Sequence, residues 1–120
     1  MTKLRTALVV EESPLIAMNV EQTLLRCGFD AVHVACSPDV AAQLAETAQL
    51  DFALVSIEPG GAHGRVLAPM LAQRNVPFAF ICDLSDGSDV PLAWKGTPFL
   101  SKPYTETELV KLVAAVGACA

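Results

Sequence analysis

The chain has 120 residues, a hydrophobic fraction of 52% and a formal net charge of −5, with a pI of about 4.8 and a mean hydropathy of +0.44. This suits one folded domain, 1–120, rather than a disordered chain, and the acidic balance weighs against nucleic-acid binding, which needs a basic face. No apolar run is long enough to span a membrane; segment 3–10 is too short for a signal peptide and runs directly into Glu11-Glu12, so the expected compartment is the cytoplasm.

Leu8-Val9-Val10 reads as a short buried strand ending at Glu11-Glu12. Ser13 then reads as an N-cap with Pro14 at the first helical position. Ile16, Val20, Thr23, Leu24 and Cys27 recur at helical spacing, and Gly28 is a good terminator. A second strand is expected over Ala31–Ala35, with His33 on one of its faces. Ser37-Pro38 repeats the cap-plus-proline signal for a helix to about Thr47. Residues 52–57 form a third, almost wholly apolar strand. The stretch 59–64, Pro-Gly-Gly-Ala-His-Gly, is a loop by composition.

A helix is then expected from 65 to about 74, with Val66, Leu67, Met70 and Leu71 as its apolar residues. Pro69 inside it predicts a late start or a kink. Residues 77–82 form a fourth apolar strand. The breaker-rich stretch 83–96 allows at most a short, distorted helix, and 97–100 a brief fifth strand. Thr105 with Glu108 makes a capping box for a last helix carrying Leu109, Leu112, Val113 and Val116. The cysteines Cys27, Cys36, Cys82 and Cys119 have neither zinc-site spacing nor a disulfide framework and read as small buried thiols.

Five strands alternating with helices predict an α/β fold: a doubly wound five-stranded parallel sheet, flavodoxin-like, with helices on both faces. In such a sheet, chemistry lies outside the carboxyl ends of the strands. Those ends carry Glu11-Glu12, then Ser56 with Glu58 two residues on, then Cys82-Asp83, and lead into Lys102-Pro103. Acids with one lysine at this edge point to a divalent cation and a phosphoryl group.

Three segments carry a resemblance. "ALVVEESPLIAMNVEQTLLRCGF" resembles the opening strand, acidic pair and first helix of the response-regulator receiver family of two-component systems. "DFALVSIEPGGAHG" resembles its third strand and phosphorylation loop, with Asp51 at the acid that often begins the strand and Gly64 at the closing glycine. "FLSKPY" resembles its fifth strand and lysine-proline pair, and "PFAFIC" is a weaker likeness to a receiver subgroup with a Pro-Phe-x-Phe-x-Thr-Gly-Tyr segment. The resemblance covers essentially the whole chain. It implies two acids and an aspartate holding magnesium, and a threonine or serine and a lysine contacting an acyl phosphate. Carried over, Glu11 and Glu12 take the acid pair, Lys102 the lysine and Phe99 the switch aromatic.

Two departures decide the expected function: the phosphoacceptor position holds Ser56 and the threonine position Cys82. A serine hydroxyl needs a base to attack phosphorus, and its neutrality weakens a hard-cation site. Ser56, Cys82 and Lys102 thus read as a degenerate phosphorylation site. Glu11 and Glu12, helped by Glu58 or Asp83, are the candidates for a retained magnesium. The competing expectation, with no cofactor, is that Lys102 pairs directly with Glu11 or Glu12, replaces the switch and fixes one state. No serine-nucleophile elbow surrounds Ser56, His63 reads as a solvated loop residue, and Gly60-Gly61 lacks the lysine and hydroxyl of a nucleotide loop.

The expected role is a non-enzymatic, phosphorylation-independent receiver-like module acting by protein–protein interaction with a histidine kinase or phosphotransfer protein, alone or as a piece of a longer kinase or regulator. Receivers dimerise or dock partners through their fourth helix, fifth strand and fifth helix. Here Leu92 and Trp94, with Val110, Ala114 and Ala115 widening the last helix's apolar arc, mark a candidate interface or homodimer surface; the alternative is that Trp94 covers the sheet edge. The rival functions are a phosphotransfer receiver using Glu58 or Asp83 as acceptor, and a redox- or small-molecule-sensing flavodoxin-like domain with Cys82 at the functional edge.

Overall fold

The computed structural model describes residues 5–57, 62–83 and 90–116, the side chains of residues 62 and 63 excepted. In chain order the elements are β1 Thr6–Val10, α1 Pro14–Arg26, β2 Ala31–Ala35, α2 Pro38–Thr47, β3 Phe52–Ser56, α3 Ala62–Gln73, β4 Phe78–Cys82, a 3₁₀ turn Leu92–Trp94, β5 Phe99–Ser101 and α4 Glu106–Ala115. The strands form one sheet in the order β2-β1-β3-β4-β5, parallel throughout. The chain reverses direction across the sheet between β1 and β3, so their carboxyl ends form the crevice of a doubly wound fold.

Local chemistry starts the helices. Ser13 accepts from Ile16 N, and Pro14 supplies a fixed φ where no N–H is needed. Ser37 accepts from Val40 N ahead of Pro38. Thr105 and Glu108 close a reciprocal capping box. Gly28 follows α1 at φ 106, a conformation that a side chain rarely tolerates.

The sheet separates two apolar layers. On one face Leu8, Val10, Ala53, Val55, Phe80 and Cys82 pack with Ala41, Ala45, Leu67 and Leu71 of α2 and α3. On the other Ala7, Val9, Leu54 and Ile81 pack with Val20, Leu24, Leu109 and Val113 of α1 and α4. The alternation along β1 follows the two-residue period of a strand, and burial on both faces explains why the strands read as continuous apolar runs.

Several boundaries and orientations differ from the sequence-based expectation. α3 begins at Ala62, ahead of residue 65, and continues through Pro69. A proline there removes one N–H donor, and burial of Leu67, Ala68 and Leu71 keeps the helix in place. Val66 faces solvent instead of the core. β5 begins at Phe99, because Pro98 has no N–H for the ladder; its carbonyl accepts from Phe80 N at 3.0 Å. Cys27 and Cys82 are buried as expected, but Cys36 is exposed at the end of β2, and Cys119 lies outside the described residues.

Candidate functional site

The register brings Val10 beside Val55, Ser56 beside Ile81 and Cys82 beside Ser101. Residues just past these positions therefore meet at one edge. Backbone bonds extend the ladder beyond the strands: Glu11 N donates to Ala35 O, Ile57 N to Ile81 O and Lys102 N to Cys82 O.

Glu11 is the centre of this edge. Its residue is 5% exposed, so its charge needs internal partners. Oε1 accepts from Ser56 Oγ at 2.7 Å and pairs with Lys102 Nζ at 3.1 Å. Oε2 accepts from Ser13 N at 3.0 Å. One carboxylate thus ties together the ends of β1, β3 and β5 and the start of α1. Burial alone would push the Glu11 carboxyl up; the Ser13 N–H, the Ser56 hydroxyl and the Lys102 ammonium outweigh it and hold the group below its ordinary value. Tyr104 lies close enough to feel that charge: burial first, then Glu11, holds its phenol above the ordinary value.

The other predicted residues divide. Glu12, adjacent in sequence, is exposed, as is Asp83 at the end of β4. Glu58 and the side chain of His63 lie outside the described residues. Cys82 is fully buried, and its thiol turns into the core to meet Leu100 O at 3.8 Å, away from the edge. Among the described residues no three carboxylate, imidazole or thiol side chains converge as a metal-holding group. Phe99 is 39% exposed. Trp94 packs edge-on against Phe78 with ring centroids 5.6 Å apart, covering the sheet, while Leu92 stands out in solvent. Val110 is half-buried against the α1/α4 layer, and Ala114 is exposed.

Two contributors were not singled out from sequence. The backbone N–H of Ser13 serves Glu11 while its hydroxyl caps α1. Tyr104 lines a groove of about 550 Å³ between α1 and α4 with Ile16, Thr23, Arg26, Lys102 and Leu109. Its place two residues after Lys102 was the available signal.

Known structures agree with this architecture. The chain is 31% identical to SdrG from Sphingomonas melonis Fr1, covering 97% of this chain and 98% of that one, with a TM-score of 0.74. It is 32% identical, over the same shares, to the BeF3-activated conformation of SdrG from Pseudomonas melonis Fr1, with a TM-score of 0.76. A CheY-like response regulator receiver domain protein from Methanospirillum hungatei JF-1 shares the fold, with a TM-score of 0.78 at 16% identity over 94% of this chain and 93% of that one.

The chain belongs to the response-regulator receiver family. No family model and no curated protein matches it. In this receiver domain, the crevice where α/β sheets of this topology carry their chemistry is the Glu11, Ser56, Lys102 cluster. What distinguishes it is the middle member, an alcohol at the end of β3.

Proposed function

We propose that this receiver domain signals without phosphorylation, by binding protein partners in a two-component system. The observation that carries the reading is Ser56, at the position that the family resemblance assigns to the phosphoacceptor, with its hydroxyl donated to Glu11. An acyl phosphate requires a carboxylate there, and an alcohol cannot form one. The Ser56–Glu11 contact has the outline of a nucleophile and its base. Glu11, however, is held in its charged form by Lys102, Ser13 and Ser56 itself, which makes it a poor proton acceptor. The hydrogen bond therefore anchors the hydroxyl rather than activating it.

A binding role is supported by α1. Leu15 is 68% exposed, Met18 51% and Leu25 41%. With Gln22 they recur at three- and four-residue spacing, which aligns them on one side of the helix, away from the buried Ala17, Val20 and Leu24. This side, apolar but for Gln22, begins beside the Glu11 edge, and exposed apolar surface of this kind marks an interface, here for a histidine kinase or phosphotransfer protein. No enzymatic activity belongs to this reading. No helix among the described residues is long and apolar enough to cross a membrane, and a cytoplasmic setting is part of the proposal.

Incubating the purified chain with a phosphoryl donor and magnesium, then measuring its intact mass, tests the proposal. The expected result is an unchanged mass. A stoichiometric phosphate-sized gain, labile to hydroxylamine, would overturn it and turn attention to Asp83, the exposed carboxylate at the end of β4. The redox rival gains no support from the buried thiol of Cys82.

A further inference from the structure

We infer that Lys102 acts as a resident cation: its tethered ammonium takes, at Glu11, the place of the divalent ion that the family resemblance implies, and makes this edge indifferent to magnesium. This goes beyond the proposed function, which concerns the phosphoryl group and not the binding of a metal ion.

Among the described residues, the donor set does not fit a divalent ion. Magnesium demands near-octahedral oxygen ligands at about 2.0–2.1 Å and gives up its waters reluctantly. Both oxygens of Glu11 are already engaged, Oε1 by Ser56 and Lys102 and Oε2 by the Ser13 N–H. Ser56 directs its proton at Glu11, so its oxygen is a neutral ligand at best. Glu12 and Asp83 are exposed carboxylates, free to remain hydrated.

Charge balance gives the same answer. An edge with three carboxylates and one lysine would carry a net charge that calls for a divalent ion. Among the described residues Glu11 is the one buried acid at this edge, and Lys102 neutralises it one for one. A magnesium ion arriving at Glu11 would have to displace the ammonium or accept its repulsion at close range in a poorly screened site. Lys102 N is bonded to Cys82 O at 2.9 Å, which fixes the base of the side chain beside β4, within reach of Glu11.

The test is a manganese titration of the isotope-labelled chain, without any phosphoryl donor, read by paramagnetic broadening of the Ser13 and Ile57 amides. The expected result for the wild type is no saturable broadening at these amides, and the same Tm in chelator and in excess magnesium. Ser56→Asp restores an anion and is expected to introduce saturable binding; Ser56→Asp with Lys102→Met also removes the resident cation and is expected to bind about tenfold tighter still. Saturable broadening centred on Ser13 and Ile57 in the wild type, reversed by magnesium, overturns the inference. So does a Ser56→Asp chain that gains no binding, or a double variant that binds no tighter than Ser56→Asp. If the double variant fails to fold, Lys102→Gln with Ser56→Asp takes its place under the same criteria. Manganese binding by an unphosphorylated wild type would leave the mass-spectrometric result untouched, so the two proposals fail separately.

Discussion

The two ends of the sheet both use carboxylates, to opposite purposes. At the amino edge, Asp30 accepts from Arg5 N at 2.7 Å and Asp51 from Thr6 N at 2.8 Å. Asp30 N and Asp51 N donate back to Arg5 O and Thr6 O. Each acid makes a small reciprocal pair, Asp30 with the residue just ahead of β1 and Asp51 with its first residue, and the Arg5 guanidinium lies over the Phe29 ring at 4.5 Å. At the carboxyl edge, one buried acid gathers donors from three separate segments. The amino-edge acids finish a strand; Glu11 holds the strand ends against one another. The contrast shows that the position of an acid, on a local pair or at a convergence, decides whether its loss is felt locally or across the sheet.

The largest expected effect comes from breaking the convergence. Glu11→Ala leaves the Ser13 N–H, the Ser56 hydroxyl and the Lys102 ammonium without their acceptor, and is expected to cost about 2–4 kcal/mol. Urea unfolding followed by the fluorescence of Trp94, the single tryptophan, measures it. At the other end, Asp51→Ala is expected to cost about 1 kcal/mol, with the resonances of Ser13 and Ser56 unmoved. An equal loss from both variants would erase the comparison.

Ser56→Ala removes one of two donors to Glu11 Oε1 and leaves Lys102 in place. About 1 kcal/mol is expected, in the same range as Thr105→Ala, which removes the capping box of α4.

Acid titration sharpens the comparison further. The folded pKa of Glu11 lies below its ordinary 4.5. Its contribution is therefore present above that value and lost as pH falls through the lower folded pKa. Stability below pH 4.5 should thus decline less steeply in Glu11→Gln than in the wild type, measured as urea midpoints at descending pH. The smallest effect concerns Tyr104, the only tyrosine, whose ionisation band reports a single group. Its midpoint is expected above the ordinary 10.0, and lower in Glu11→Gln while still raised, because burial, the larger cause, remains. A Glu11→Gln midpoint equal to the wild type would remove Glu11 from the surroundings of Tyr104.

Much of the fold was legible because its signals are local. Ser13-Pro14, Ser37-Pro38 and the Thr105/Glu108 pair start helices through contacts within one turn. The strands announced themselves by apolar composition. The start of α3 was hidden by its glycine-rich composition, and the orientation of Val66 by a helix with apolar residues on more than one side. The residues of the edge could be named, and a pairing of Lys102 with Glu11 or Glu12 expected, yet which of the two acids takes part could not be told. Glu11 and Glu12 are equivalent by composition, but neighbours at the end of an extended segment project to opposite sides. Here the first is buried and the second faces water.

By itself, the sequence determined an alternating α/β chain whose acids, lysine and Ser56 stand at strand ends, and the absence of a carboxylate at the end of β3, since both follow from residue identity and period. Only the tertiary structure decided that Lys102 meets Glu11 rather than Glu12, that Cys82 turns into the core and that Tyr104 joins the edge. Those contacts join residues 18 to 93 positions apart, and their partners are selected by the order of strands and the facing of side chains, which no local pattern encodes.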